Sequence, residues 1–142
     1  MFANFKKRLA AKKARNKLFE ESQHWKNDPL LRCCLQAMRG SCTVVPPGIH
    51  EAVICAVNIA LRENIWTDQA AIPEIFGPGM VYLVWDEARL PVLEAPWNVV
   101  KENLHDVRRV HSNAFLVAQS MDRIVWYDAH GRIKLYSVAA ED

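Results

Sequence analysis

Glycine and proline are both scarce in this chain, five and seven residues out of 142. That excludes a flexible linker, a collagen-like repeat and a low-complexity polymer. Long apolar runs are missing too. The longest helical one, "AVICAVNIAL", is ten residues with Asn58 inside it, against about 20 for a bilayer span. The basic start "MFANFKKRLAAKKARNK" is followed by no apolar segment with a small-residue cleavage site, so neither a membrane nor a secretory role is expected.

Signatures of chemistry are equally thin. There is no G-x-S-x-G, no phosphate-cradling glycine loop and no H-E-x-x-H. The cysteines are Cys33, Cys34, Cys42 and Cys55, with no C-x-x-C and no zinc-like Cys/His spacing. Adjacent Cys33 and Cys34 bridge each other only with difficulty. The expectation is reduced, buried thiols in a cytoplasmic protein with no metal and no cofactor.

What is present is a core. The chain is 51% hydrophobic and carries five Trp, five Phe and three Tyr, enough for one folded domain over 1–142. Its net charge of +2 conceals a split. Residues 1–26 hold eight basic groups against two acidic, a net +6, and residues 27–142 hold ten against fourteen, a net −4. A mildly acidic body therefore carries a basic leading segment.

Hydrophobic spacing divides the chain into a basic N-terminal helix (1–26), a helical part (27–76) and a sheet-containing part (80–138). In the first, Phe2, Phe5, Leu9, Leu18, Phe19 and Trp25 supply apolar positions, interrupted by Lys12 and Lys13. In "NDPLLRCCLQAMRGS", Asp28 is placed to cap, Pro29 to open and Gly40 to follow a helix burying Leu30, Leu31, Cys34, Leu35 and Met38. A further helix is expected from Ile49 to Arg62, with Ile49, Val53, Ala56, Val57, Ala60 and Leu61 inward. "TDQAAIPEIFGPG" suits a short helix capped by Thr67 and interrupted at Pro73.

"MVYLVWD" then reads as a central strand, "APWNVVKENLHDV" as a helix with Val99, Val100, Leu104 and Val107 inward, and "AFLVA" as a strand. The expected fold is α+β: N-terminal helices on an antiparallel sheet of three to four strands, with one inserted helix.

"DRIVWYDAHGRIKLYSV" closes the sheet as a hairpin. Asp128 followed three positions later by Gly131 suits a type I turn with a left-handed glycine, a three-residue loop. That register sets Asp128 against Arg132 as an ion pair, Trp126 against Lys134 and Ile124 against Tyr136, and leaves His130 at the tip. The opposite face carries Val125, Tyr127, Ile133 and Leu135. The turn reading of Asp128 and His130 outranks a catalytic one, because a hairpin tip offers little to exclude water. Asp86 and Glu87, at the end of "VYLVW", suit a solvated strand end, and His105 with Asp106 a helix end. No enzyme is expected.

The leading basic segment holds Lys6, Lys7, Arg8, Lys12, Lys13, Arg15 and Lys17. A solvated helix whose cations pair with the acidic body, or with a second chain, ranks first, a nucleic-acid footprint second and a membrane surface third.

The stretches "VYLVWDEARLPVLEAPWNVVKENLHDV" and "NAFLVAQSMDRIVWYDAHGRIKLYSV" carry a pattern: an apolar strand ending in Trp-Asp, a helix opened by Pro-Trp, and a Trp-bearing closing hairpin. This layout resembles bacterial immunity proteins of contact-dependent growth inhibition and other polymorphic toxin systems. The likeness covers residues 80–138, under half of the chain. It implies a cytoplasmic binding protein that neutralises a cognate toxin domain, in many systems a basic nuclease. Candidate partner contacts are then Asp86, Glu87, Ile124, Trp126, Lys134 and Tyr136, unless the hairpin face is covered by the helix beginning at Pro96. The second-ranked function is a nucleic-acid-associated accessory protein using Lys6–Lys17, and the third an enzyme of unrecognised type.

Overall fold

The computed structural model describes residues 27–87 and 89–138. The basic segment 1–26, with Lys6, Lys7, Arg8, Lys12, Lys13, Arg15 and Lys17, lies outside the described residues.

The described chain is α+β. In order it runs α1 (Pro29–Ala37), β1 (Thr43–Val44), α2 (Pro47–Glu63), β2 (Thr67–Gln69), β3 (Met80–Trp85), β4 (Leu93–Pro96), α3 (Trp97–Glu102), α4 (Leu104–Val110), β5 (Ala114–Ala118), β6 (Arg123–Tyr127) and β7 (Ile133–Ser137). One seven-stranded sheet has the order β1-β4-β3-β5-β6-β7-β2, and every neighbouring pair is antiparallel. The sheet is thus wider than the expected three to four strands. The additional strands are β1, β2 and β4: two short edge strands, and a four-residue strand carrying Glu94 and Pro96 that has no apolar run to announce it.

Each face of the sheet is covered. On one face α1, α3 and α4 contribute Leu31, Cys34, Met38, Trp97, Val100, Val107 and Val110 to a core with Val81, Leu83, Trp85, Leu116 and Val125. On the other face α2 lays Val53, Val57 and Ala60 over Tyr82, Val84, Phe115, Val117, Ile124 and Tyr136. The alternation along β3 and β6 sends successive side chains to opposite cores. Chain connectivity explains the coverage by α2. It joins β1 to β2, which are the two opposite edges of the sheet, and so crosses the whole face between them.

Several helical expectations are revised. α1 is capped as expected, the Leu31 N–H donating to Asp28 Oδ1 at 2.9 Å, but Leu30 is 40% exposed because a nine-residue helix buries only the stripe Leu31, Cys34, Met38. α2 begins at Pro47, and Ile49 faces outward while His50 and Asn58 turn in. The "TDQ" segment is strand β2, where the Thr67 hydroxyl donates to the Leu135 carbonyl instead of capping a helix. The inserted helix is two helices. Asn103 leaves helical geometry (φ −124°, ψ 26°) and its side-chain amide donates to the Val99 carbonyl at 2.8 Å, a local competitor for helical bonding. Val99 and Leu104 are consequently half-buried, while Val100 and Val107 are buried.

Trp85 ties the layers together, its indole N–H donating to the Val107 carbonyl of α4 at 2.9 Å. No helix among the described residues is long and apolar enough to cross a membrane.

Candidate functional site

The β6–β7 hairpin adopts the expected register, Ile124 opposite Tyr136 and Trp126 opposite Lys134. Gly131 takes φ +79°, and its N–H donates to the Asp128 carbonyl at 3.1 Å. The Asp128 Oδ1 accepts from the N–H groups of His130 and Arg132, both at 2.9 Å. Asp128 is therefore more buried than a loop-tip residue, at 6% exposure. The expected ion pair is corrected. Arg132 meets this carboxylate through its backbone, and the cation facing it is Lys134, whose Nζ stands 3.6 Å from Oδ2. Burial pushes the Asp128 carboxyl up, but the two N–H donors and the Lys134 charge outweigh it and hold its pKa below the ordinary aspartate value.

Trp126 sits beside this turn. Lys134 Nζ lies 5.0 Å from its ring centre, Phe115 on β5 stacks on it at 5.6 Å, and Trp66 meets it edge-on at 5.4 Å. The register makes one row of these groups across five strands: Asp68, Lys134, Trp126, Phe115 and Val84. The indole N–H of Trp126 donates to Asn113 Oδ1 at 3.1 Å. The backbone carbonyl of the same Asn113 accepts from the Asp86 N–H at 3.2 Å. Asp86 and the hairpin, 40 positions apart in sequence, thus meet at one end of the sheet, with Asn113 between them.

The six candidate contacts separate by exposure. Trp126 and Lys134 are half-buried and Asp86 is exposed, so all three present atoms to solvent. Glu87 is half-buried and turned toward the Arg89 N–H and side chain; that N–H, with the charges of Arg89 and His111, keeps its pKa low against an opposing push from burial. Ile124 and Tyr136 are core residues, at 0% and 3% exposure. The Tyr136 hydroxyl donates to Glu63 Oε1 at 2.8 Å, and burial followed by that carboxylate raises its pKa. The helix covering them is α2; the segment after Pro96 packs on the other face.

Two participants have no signal of their own in the sequence. Trp66 is brought to Trp126 only by the pairing of β2 with β7, and its own N–H donates to the Ala60 carbonyl at 3.1 Å. Asn113 is one polar residue before a strand, and only the third dimension gives it two partners.

The thiols are free cysteines. Cys34 is buried, with its pKa pushed up to about 12 by burial, Cys42 and Asp106, so it behaves as a small hydrophobe. Cys33 is exposed, and Cys42 and Cys55 are half-buried, which corrects the expectation that all are buried. Among the described residues no group of three His, Cys, Asp or Glu side chains is placed to hold a metal ion. No known protein-family model matches the chain, and no curated protein matches it.

Proposed function

We propose that the protein is a cytoplasmic immunity protein that neutralises a toxin domain by direct binding, through the surface of Trp126, Lys134 and Asp86. The observation that carries this reading is the state of Trp126. Its indole is half-exposed, yet fixed by Phe115, Trp66, Lys134 and Asn113. A rigid aromatic group with a polar edge loses little conformational freedom on binding, which is the character of an interface anchor. Asp86, exposed at the same end of the sheet, adds a charge that orients a partner. The resemblance of residues 80–138 to immunity proteins supplies the partner class.

Purified full-length protein is mixed with the product of the adjacent reading frame, and affinity and toxicity are measured. Tight binding with loss of toxicity supports the reading, and absence of binding removes it. The charge split favours a second reading, nucleic-acid association through Lys6–Lys17. Its test is a salt-dependent gel shift that Lys/Arg→Ala changes in that segment abolish.

A further inference from the structure

Trp126 has an aromatic neighbour of the same character. Trp66 is half-buried yet fixed: its indole N–H donates to the Ala60 carbonyl at 3.1 Å, and its ring meets Trp126 edge-on at 5.4 Å and Tyr136 at a tilt at 5.6 Å. Carboxylates flank it in sequence, and both belong to the same face of the sheet. Glu63 accepts from the Tyr136 hydroxyl at 2.8 Å. Asp68 stands directly across from Lys134, whose Nζ lies 5.0 Å from the centre of the Trp126 ring, so the two share the Trp126 face. Glu63 and Asp68 are exposed, and neither is in an ion pair among the described residues. The cation of this group is Lys134, held 3.6 Å from Asp128 Oδ2. Glu63, Asp68 and Asp128 against Lys134 leave a net charge of −2 around the two indoles. Solvated carboxylates occur elsewhere on the molecule; this pair is distinguished by the fixed indole between them.

We infer that Trp66, Trp126, Glu63 and Asp68 together receive an arginine side chain of the protein partner. This rests on the immunity reading and specifies the chemistry of the partner at that site. Lys134 shows the mode, a cation resting on an indole with a carboxylate within reach. Arginine suits the site better than lysine, because a planar guanidinium stacks on an aromatic ring and meets a carboxylate through paired N–H donors. A nucleic acid fits badly, since its phosphates would face Glu63 and Asp68. A second copy meeting the site through the same patch would bring like charges together. The division of labour follows: the two exposed carboxylates speed encounter, and the packed indoles slow release.

The test is association and dissociation of the full chain with the product of the adjacent reading frame, in low and high salt. One variant combines Glu63→Gln with Asp68→Asn, which removes both charges and keeps an acceptor for the Tyr136 hydroxyl. The other is Trp66→Leu, with Trp66→Phe in its place if the leucine variant does not fold, and Glu102→Gln on α3 is a distant control. Urea unfolding confirms that each is folded. The carboxylate variant is expected to associate about fivefold more slowly at low salt, with the difference largely gone at high salt. The Trp66 variant is expected to dissociate about tenfold faster. Treating the partner's arginines with phenylglyoxal beforehand should remove the difference between wild type and the carboxylate variant. Unchanged or faster association of that variant, unchanged dissociation of the Trp66 variant, or a difference that survives phenylglyoxal overturns the inference while leaving the immunity reading intact. Absence of wild-type binding removes both. A wild-type dimer in sedimentation that the Trp66 variant dissociates overturns the inference in favour of a second copy.

Discussion

Asn113 joins Asp86 to Trp126: its carbonyl accepts from the backbone of one, and its side-chain oxygen accepts from the indole of the other. The link ties the strand end at Asp86 to a fixed aromatic group at the exposed end of the sheet. Asn113→Ala removes the indole's partner and is expected to cost about 0.5–1.5 kcal/mol by urea unfolding. The Trp126 indole N–H resonance should shift with it. An unmoved resonance would contradict the role given to Asn113.

Gly131 is needed for its backbone. At φ +79° a side chain is strained, and the nearest atom a Cβ would meet is Arg108 Nη2 at 3.6 Å, which is tolerable contact. Gly131→Ala is therefore expected to destabilise by about 1–2 kcal/mol through the left-handed backbone, and Gly131→Asn by less. Denaturant midpoints check this. Equal effects of the two substitutions would point to steric crowding instead.

Acid sensitivity should run through Asp128. Its pKa is lower in the folded protein than in the unfolded chain, so its contribution is complete above the ordinary aspartate value and is lost as pH falls through the folded value. Asp128→Asn should lower stability by a constant amount at neutral and alkaline pH, with the difference from wild type closing as pH falls through the folded value. A parallel downward displacement over the whole pH range would mean that only the turn's hydrogen bonds matter.

Thiol chemistry should sort by exposure. At mildly alkaline pH an alkylating reagent is expected to modify Cys33 in the native protein, and Cys34, with its pKa near 12, only after unfolding. Mass spectrometry of the labelled peptides decides. Native-state labelling of Cys34 would show that α1 opens locally.

The hairpin was legible in the sequence because its determinants are local: turn residues Asp128 and Gly131, and cross-strand pairs that agree on one register. The N-cap of α1 and the central strand β3 were legible for the same reason. What covers the hairpin was not. Choosing between α2 and the segment after Pro96 requires knowing that β1 and β2 are opposite edges of the sheet, and each is too short to show a period. The same gap hid Trp66, whose neighbours Trp126 and Tyr136 are 60 and 70 positions away. Asp86 and Trp126 were legible as separate candidates; their meeting at Asn113 depends on β3, β5 and β6 lying side by side.

The most direct measurement compares Trp126→Ala with wild type in two assays: affinity for the product of the adjacent reading frame, and unfolding free energy. Loss of a half-buried indole should cost about 2 kcal/mol of stability and leave a cooperative fold. Partner affinity should fall by at least tenfold under conditions where the variant is fully folded. Unchanged affinity in a folded variant, or a variant that cannot fold at all, would contradict Trp126 as the anchor of the interface.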